Sequence, residues 1–261
     1  MISCKEYTIL EKQRIAELPI KNIKFDIFQV GDNPASNAYI RGKMKDCAEA
    51  SIKAELHKFD ESITHDELAR EVAKASEDSA GIIIQLPVPS HINAFKIIRE
   101  HTKPYQDVDG FVFDVNEPCT PLGIINWLEF NNVEIEGKNV VIIGRSRIVG
   151  RPLAKMMEKR NATVTLCHSK TSDESMKKFC QLADIIVVAV GRPKFFSFDV
   201  TDKKPIIVDV GINRVENKKL VGDVDKEYME KQGCYVTPVP GGVGLLTRLA
   251  LIQNIIKNIE K

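Results

Sequence analysis

The sequence predicts an α/β protein in which buried parallel strands alternate with helices. Four consecutive apolar β-forming residues, 140–143, are typical of a strand buried in a parallel sheet. This strand stops at Gly144, and a helix is predicted over 153–159, so strand, turn and helix begin a βαβ unit. Similar apolar strands recur further along the chain and alternate with short helices, which is the pattern of a doubly wound sheet. These strands are predicted at 163–167, 183–193 and 205–211.

The residues before this unit predict a second α/β domain. Apolar segments bounded by Gly, Pro, Asn and Asp are typical of strands, and apolar residues at helical spacing are typical of helices. The chain has 261 residues, which is enough for two modest domains. The predicted strands are 25–30 and 81–91, and the predicted helices are 10–18, 37–53 with Ser36 as its cap, a helix within 59–76, 93–101, 118–131 and the C-terminal 245–259.

The composition excludes several classes of partner. Lysine and arginine number 37 and aspartate and glutamate 36, a net charge of +1, so neither a nucleic-acid partner nor a membrane surface is expected. The first residues form no signal-peptide pattern and no apolar run reaches membrane-spanning length. The six cysteines are scattered without the spacing of a metal site, and we expect them to be reduced. A cytoplasmic protein without a bound metal is therefore expected.

The turn at 144–150 is the first candidate site. Such a turn directs backbone N–H groups and a helix N-terminus at a phosphate, although a tight loop in some other α/β domain is the alternative. In sites that prefer NAD, an acidic residue about 20 residues past the glycine turn binds the ribose 2′-hydroxyl. Here the second strand ends instead in His168, Ser169 and Lys170, and the turn contains Arg145. Cations and hydroxyls suit a 2′-phosphate, so NADP is favoured over NAD.

The N-terminal half contains a second group of candidate residues. Tyr39 and Lys43 are four residues apart in a predicted helix and therefore lie on one face. Gln85 interrupts an apolar run at the carboxyl end of a predicted strand, where ligands gather in α/β sheets. Asp107 and Asp109 flank Val108 before a glycine. For Tyr39 and Lys43 the alternative is an ordinary amphipathic helix with a lysine at the border of its apolar face. For Gln85 it is a side chain that is hydrogen-bonded to loop backbone, and for the two aspartates it is an Asx turn.

Eight motifs in order resemble the bifunctional methylenetetrahydrofolate dehydrogenase/cyclohydrolase family. The resemblance extends from about residue 25 to the C-terminal helix. The motifs are Ser-x-x-Tyr-Ile-x-x-Lys at 36–43, Gly-Ile-Ile-Ile-Gln-Leu-Pro-x-Pro-x-His-Ile at 81–92, Asp-Val-Asp-Gly-Phe at 107–111, Pro-Cys-Thr-Pro at 118–121, Gly-Arg-Ser-x-Ile-Val-Gly at 144–150, His-Ser-Lys-Thr at 168–171, Val-Asp-Val-Gly-Ile-Asn at 208–213 and Thr-Pro-Val-Pro-Gly-Gly-Val-Gly at 237–244.

The resemblance implies a fold and two reactions. An N-terminal α/β catalytic domain, 1–135, is completed by the C-terminal helix, 245–261, and a Rossmann-type NADP-binding domain, 136–244, is inserted between them. The first reaction transfers a hydride from 5,10-methylenetetrahydrofolate to NADP and gives the methenyl cation. In the second, water adds to that cation and the ring opens to 10-formyltetrahydrofolate. A homodimer is expected from the family alone.

The resemblance also implies roles for individual residues. Lys43 becomes the candidate base for water, Tyr39 contacts the substrate, Gln85 holds the lysine amine, and Asp109 accepts hydrogen bonds from two donors of the pterin. The residues expected to bind the cofactor are Gly144, Arg145, Ser146, Ile148, Val149, Gly150, His168, Ser169 and Ile212.

The chain departs from the family pattern at four places. Gln106 stands where the family usually has lysine, Leu245 replaces a proline, and Arg147 replaces a small polar residue. Only the six residues 112–117 separate Phe111 from Pro118, where the family usually has a longer loop. None of these departures removes a proposed catalytic residue.

Three alternative functions remain at this point. A monofunctional NAD-linked dehydrogenase of the same family would lack the active-site lysine, so Lys43 argues against it. A non-catalytic NADP-binding protein would not need the Tyr39, Lys43, Gln85 and Asp109 set. A short-chain oxidoreductase also uses a Tyr-x-x-x-Lys pair, but there the pair follows the cofactor motif, whereas here it precedes that motif.

Overall fold

The computed structural model describes residues 1–112, 115–200, 203–215 and 219–259. By its internal contacts the chain divides into two units. The Lys43 unit comprises Ile9–Cys119 and Arg248–Lys261, and the Gly144 unit comprises Met1–Thr8 and Thr120–Thr247. Both units combine parallel strands with helices, as the sequence predicts.

The Lys43 unit is built on a parallel sheet whose strand order is β2-β1-β3. Phe28 of β1 and Ile82 of β3 face helices α3 and α4 in one buried core cluster, together with Leu68 and Ile97. Such near-continuous apolar strands are expected where helices cover a parallel sheet. The elements are α1 (Cys4–Ala16), β1 (Ile23–Val30), α2 (Pro34–Glu49), β2 (Ile52–Phe59), α3 (His65–Ala75), β3 (Gly81–Ile84) and α4 (Ala94–His101).

The Gly144 unit is built on five parallel strands in the order β10-β7-β6-β4-β5, counted over the described residues. Strand β4 pairs with β5 on one side and with β6 on the other, so the strand order reverses next to β4. In open α/β sheets, ligands bind at such a switch point beyond the carboxyl ends of the strands. The elements are α5 (Cys119–Phe130), β4 (Asn139–Ile143), α6 (Gly150–Glu158), β5 (Thr163–Cys167), α7 (Asp173–Leu182), β6 (Ile185–Val188), β7 (Ile206–Asp209), β8 (Asn213–Arg214), β9 (Leu220–Val221), α8 (Lys226–Lys231), β10 (Tyr235–Val236) and α9 (Val243–Ile259).

The segment between α2 and α3 differs from the prediction. The predicted helix 37–53 ends at Glu49, and Ile52–Phe59 forms strand β2 at the edge of the sheet. Residues 52–57 alternate apolar and polar, which was the available signal for this strand, but alanine, glutamate, leucine and lysine also favour helices, so the local sequence is compatible with either structure. The helix cap is Asn33, whose side chain accepts from the backbone N–H groups of Ala35 and Ser36, and not the predicted Ser36.

The unit boundaries differ from the predicted domain boundaries. The chain passes from one unit to the other at 8–9, 119–120 and 247–248, inside helices α1, α5 and α9, whereas the sequence predicts a domain boundary at 135–136 and a return at 245. A boundary inside a continuous helix leaves no loop or change in composition by which the sequence could mark it. The assignment of functions to 1–135 and 136–244 therefore stays a prediction.

The six cysteines are free thiols, as expected for reduced residues. No helix in the described part of the chain has both the length and the apolar character needed to cross a membrane. All six cysteines are free and buried. Burial raises the pKa of the Cys4, Cys47 and Cys180 thiols to about 12, so these groups are neutral thiols.

Candidate functional site

The turn after β4 packs so tightly that two of its positions require glycine. Gly144 has φ +123°, and a Cβ atom there would lie 2.2 Å from the carbonyl oxygen of Ala189. A Cβ atom on Gly150 would lie 1.8 Å from the carbonyl oxygen of Gly144. The backbone of this turn therefore lies directly against the next strand end and against the start of α6. Such close backbone approach is what a phosphate-binding turn needs.

A cavity of about 440 Å³ opens at the carboxyl ends of β4, β5 and β6. Five of the predicted cofactor-binding residues line it, and Arg145 gives its wall a positive charge. Residues 168–172, directly after β5, include no acidic side chain, and among the described residues the one carboxylate on the wall is that of Asp173 at the start of α7. The size of the cavity suits part of a dinucleotide. The predicted residues that line the cavity are Gly144, Arg145, Ser146, His168 and Ser169.

Ser146 and His168 also hold the cavity wall in shape. The Ser146 hydroxyl oxygen accepts from the backbone N–H groups of Val149 (3.2 Å) and Gly150 (3.4 Å), so it caps the start of α6. The backbone N–H of His168 donates to Thr171 Oγ1, and the His168 ring Nδ1 accepts from the Lys170 backbone N–H. Each side chain is thus fixed to the loop that carries it.

Four other predicted cofactor-binding residues do not line this cavity: Ile148, Val149, Gly150 and Ile212. The backbone N–H groups of Val149 and Gly150 donate to Ser146 Oγ at the start of α6. Ile148 and Ile212 are among the exposed large apolar side chains, at 38% and 55%. Of the nine predicted residues, only those at or directly after the ends of β4 and β5 line the cavity, and the motif alone does not separate them from the other four.

The cavity also has walls that sequence reasoning missed. Arg192 and Phe195 follow β6, and the Arg192 guanidinium lies 4.8 Å from the centroid of the Phe195 ring. The sequence could have indicated these two residues as part of the site, because they lie at or just past the carboxyl end of a predicted strand, where ligands bind in α/β sheets. The wall residues not predicted are Ile143, Thr171, Asp173, Met176, Ala189, Val190, Arg192 and Phe195.

Two buried aspartates fix the loops beyond β6 and β7. Asp223 accepts from the backbone N–H groups of Val190, Gly191 and Arg192, all within 2.8 Å. Asp209 accepts in turn from the backbone N–H of Asp223 at 2.9 Å. Burial raises the pKa of Asp209 to about 6, although these hydrogen bonds oppose the shift. The glycine turn, the cationic wall and these fixed loops fit a phosphorylated dinucleotide such as NADP.

In the Lys43 unit, Lys43 lies between an aromatic ring and a carboxylate. It is buried at 2% exposure, and its Nζ is 3.8 Å from Asp109 Oδ2 and 5.2 Å from the centroid of the Tyr39 ring. Tyr39 and Lys43 both lie on α2, one turn apart, as the spacing predicts. The structure thus brings together three of the four predicted catalytic residues, with Asp109 still 20% exposed.

Gln85 adopts a different arrangement from the one expected. Its Nε2 donates to the backbone carbonyl of Leu86 at 2.9 Å, and its Oε1 is buried without a hydrogen-bond partner. The Lys43 amine is therefore not bonded to Gln85, and Asp109 is the carboxylate that pairs with it. A buried amide oxygen without a partner is costly, so this oxygen is suited to accept from a ligand group.

The two aspartates of the 107–111 motif have separate roles. Asp107 caps the turn, because its carboxylate oxygens accept from the backbone N–H groups of Phe111 at 3.0 Å and Val112 at 2.8 Å. Burial raises the pKa of Asp107 to about 6. Asp109 is left to face Lys43. The Asx-turn interpretation thus holds for Asp107, and the site interpretation is supported for Asp109.

Gln106 explains how this motif is held without the lysine usual in the family. Its side chain is fully buried and donates to the backbone carbonyls of Ser76 (2.9 Å) and Ser79 (2.7 Å). Its Oε1 accepts from the Lys103 backbone N–H and from the Ser76 hydroxyl. Both polar atoms of the Gln106 side chain thus have hydrogen-bond partners, and these bonds hold the 107–111 motif against the segment 76–79. In the shortened loop 112–117, residues 113 and 114 lie outside the described residues.

Two family models together match most of the chain. A family model described as "Tetrahydrofolate dehydrogenase/cyclohydrolase, catalytic domain" matches residues 5–109. A second, "Tetrahydrofolate dehydrogenase/cyclohydrolase, NAD(P)-binding domain", matches residues 118–261. The chain belongs to the tetrahydrofolate dehydrogenase/cyclohydrolase family. This match confirms the resemblance and the predicted α/β architecture of a catalytic and a nucleotide-binding domain.

Individual relatives support the same assignment. Bifunctional protein FolD of Bacillus cytotoxicus is 43% identical over 247 residues, which are 90% of this chain and 85% of that protein. The crystal structure of a FolD dehydrogenase/cyclohydrolase from Campylobacter jejuni is 38% identical with a TM-score of 0.91, covering 99% of this chain and 97% of that one. A Trypanosoma brucei FolD complexed with NADP cofactor and inhibitor is 27% identical with a TM-score of 0.91, covering 100% and 97%.

Proposed function

We propose that this chain catalyses both activities of its family. It oxidises 5,10-methylenetetrahydrofolate with NADP to the 5,10-methenyl cation, and it hydrolyses that cation to 10-formyltetrahydrofolate. The single observation that carries the second activity is buried Lys43, 3.8 Å from Asp109 and one helical turn from Tyr39. The family match over nearly the whole chain and the NADP-bound relative support the first.

The oxidation requires a fixed cofactor and a fixed folate. When bound, NADP supplies a nicotinamide ring that accepts the hydride. Arg145 and Ser169, which line the cavity at the ends of β4 and β5, would bind its 2′-phosphate, and the Gly144 turn would approach its phosphates through backbone N–H groups. The hydride leaves the methylene carbon with both bonding electrons, so no proton is removed from that carbon by the protein. The residues of the chain contribute binding and orientation.

The hydrolysis requires a group that takes a proton from water. Asp109 would accept two hydrogen bonds from the pterin, which would withdraw its carboxylate from Lys43. The methenyl cation next to Lys43 then disfavours a second positive charge and favours the neutral amine as the proton acceptor. Water adds to the amidinium carbon and one of its protons passes to Lys43, which leaves a neutral carbinolamine. The bond from this carbon to N5 then breaks: N5 keeps the bonding pair and takes the proton from Lys43, the hydroxyl proton is released to solvent as the carbonyl forms, and the formyl group stays on N10. Gln85 Oε1 would accept a hydrogen bond inside this site.

A direct assay tests the proposal. The chain is mixed with 5,10-methylenetetrahydrofolate and either NADP or NAD, and the absorbance of the reduced cofactor and of the methenyl product are followed together. We expect NADP to be reduced faster than NAD and the methenyl absorbance to decay faster than in buffer. Persistent methenyl product with NAD as the better cofactor would instead favour the monofunctional alternative.

The remaining expectations belong to the same proposal. We assign folate chemistry to 1–135 with 245–261 and cofactor binding to 136–244, because the proposed residues for each fall within those ranges. We also propose a homodimer, as the family resemblance implies, and a cytoplasmic location, which the six free cysteines support. Light scattering on the purified chain tests the dimer: a mass near 29.3 kDa at micromolar concentration would contradict it.

A further inference from the structure

Arg248 of helix α9 lies directly on the turn of α2 that carries Lys43. A Cβ atom on Gly42 would be 1.9 Å from Arg248 Nη1 and 3.0 Å from Cζ, so only glycine leaves room for this guanidinium. Arg248 Nε is also 3.0 Å from Asp46 Oδ2. The guanidinium thus contacts α2 both at the residue before Lys43 and at the residue three positions after it.

Asp46 is the reason why a cation is needed at this place. Lys43 and Asp46 are neighbours at i, i+3 on α2, and both are buried, at 2% and 4% exposure. A buried carboxylate this close would attract the Lys43 ammonium unless other cations bound it. Both of its oxygens are occupied: Oδ1 by Lys12 Nζ at 2.5 Å and Oδ2 by Arg248. Lys43 is paired instead with Asp109.

We infer that Arg248 is a positioning residue for Lys43 in the cyclohydrolase reaction. It neutralises Asp46 and occupies the space beside Gly42, so that the Lys43 amine is directed to Asp109 and to the reacting carbon. This inference rests on the function proposed above. It assigns a role in catalysis to a residue of the C-terminal helix that none of the eight motifs contains.

The inference predicts a selective defect. Arg248→Met removes the charge, keeps the length of the side chain and leaves Asp46 with Lys12 alone. We expect cyclohydrolase kcat to fall about tenfold, a part of the 10²–10⁴-fold that general base catalysis supplies. KM for the folate and the dehydrogenase kcat should change much less, because Asp109 and the cofactor cavity are untouched. Arg248→Lys should retain most of the activity, since an ammonium can still pair with Asp46.

A second substitution separates positioning from a purely structural role. If Arg248 acts by neutralising Asp46, then Asp46→Asn in the Arg248→Met background removes the competing carboxylate and should restore cyclohydrolase activity. Arg248 variants that lower both activities equally, or a double variant that is not restored, would overturn the inference. Lys12→Met frees the other oxygen of Asp46 and serves as an independent test if Arg248→Met folds poorly. It should also lower cyclohydrolase activity, and unchanged cyclohydrolase activity in Lys12→Met would overturn the inference as well.

Two controls complete the experiment. Arg160→Met removes another arginine whose Nε pairs with a carboxylate, Glu129 Oε1 at 2.6 Å, and it should leave the ratio of the two activities unchanged. Lys43→Met tests the proposed function separately. If Lys43→Met loses cyclohydrolase while all Arg248 variants keep it, the inference about Arg248 is wrong and the proposed function stands. If Lys43→Met keeps cyclohydrolase, the proposed role of Lys43 fails, and the inference fails with it.

Discussion

Replacing Lys43 with methionine should separate the two reactions of this enzyme. Methionine keeps the length and the apolar stem of the side chain, so the packing of α2 changes little. What is lost is the amine that lies 3.8 Å from Asp109 Oδ2. Hydride transfer needs alignment of two rings and no proton acceptor, whereas addition of water to the methenyl cation needs one.

The expected fall in cyclohydrolase activity follows from the proposed role of the Lys43 amine as the proton acceptor. General base catalysis contributes roughly 10²–10⁴-fold, so we expect cyclohydrolase kcat to fall by that factor and dehydrogenase activity to remain in substantial part. Asp109 loses its ion-pair partner but is 20% exposed, so the variant should lose only about 1–3 kcal/mol of its free energy of unfolding. Asp109 also stays available to the pterin, so KM for the folate should change little.

The assay measures both steps in one cuvette. Reduced NADP reports the dehydrogenase, and the methenyl absorbance should accumulate in the Lys43→Met variant instead of decaying. Lys45→Met is a matched control, because Lys45 lies on the same helix and its Nζ is also 3.8 Å from a carboxylate oxygen of Glu49, but its side chain is 78% exposed. Lys45→Met should behave like the unsubstituted chain.

Two results would refute this reasoning. If Lys43→Met hydrolyses added methenyltetrahydrofolate at the normal rate, the amine takes no part in water addition. If the dehydrogenase is lost first while the cyclohydrolase persists, Lys43 serves hydride transfer. Thermal unfolding of each variant shows whether a loss of activity reflects a loss of structure.

Three further predictions concern Arg145, Asp109 and Asp107. Arg145→Ala should weaken binding of NADP by about 1–3 kcal/mol and binding of NAD far less, measured by calorimetry; equal losses would remove Arg145 from the 2′-phosphate. Asp109→Ala should lower both activities through folate affinity, and a fall in NADP affinity alone would contradict the pterin assignment. The pKa of Asp107 is raised to about 6, above the ordinary value near 3.9, so the folded state retains a proton that the unfolded chain loses between about pH 4 and 6. Asp107 should therefore lower the free energy of unfolding by up to about 3 kcal/mol as the pH rises through this window, and Asp209, whose pKa is also raised to about 6, should add a similar fall. In denaturant unfolding between about pH 4 and 6, Asp107→Asn should remove only the part due to Asp107, whereas an equal pH dependence in the two proteins would show that Asp107 does not titrate there.

The sequence by itself determined the strands of the nucleotide-binding half and the helix on which Tyr39 and Lys43 lie. Strand β5 is observed at the predicted residues, 163–167, and β4 extends the predicted strand by one residue. Strands β4 and β5 could be predicted because buried parallel strands are continuous apolar segments bounded by turns. The spacing of Tyr39 and Lys43 similarly placed both on one face of α2, because a helix brings residues four apart together.

The tertiary structure alone decided which partners those residues have. Strand β2 alternates apolar and polar residues over 52–57, but its parallel pairing with β1 at the edge of the sheet depends on how the elements pack. The pairing of Lys43 with Asp109, the cap formed by Asp107 and the contact of Arg248 with Gly42 join residues that are far apart in the chain or that have alternative partners nearby. Sequence spacing fixes the direction of a side chain within its own element, but the partner it meets depends on how separate elements pack.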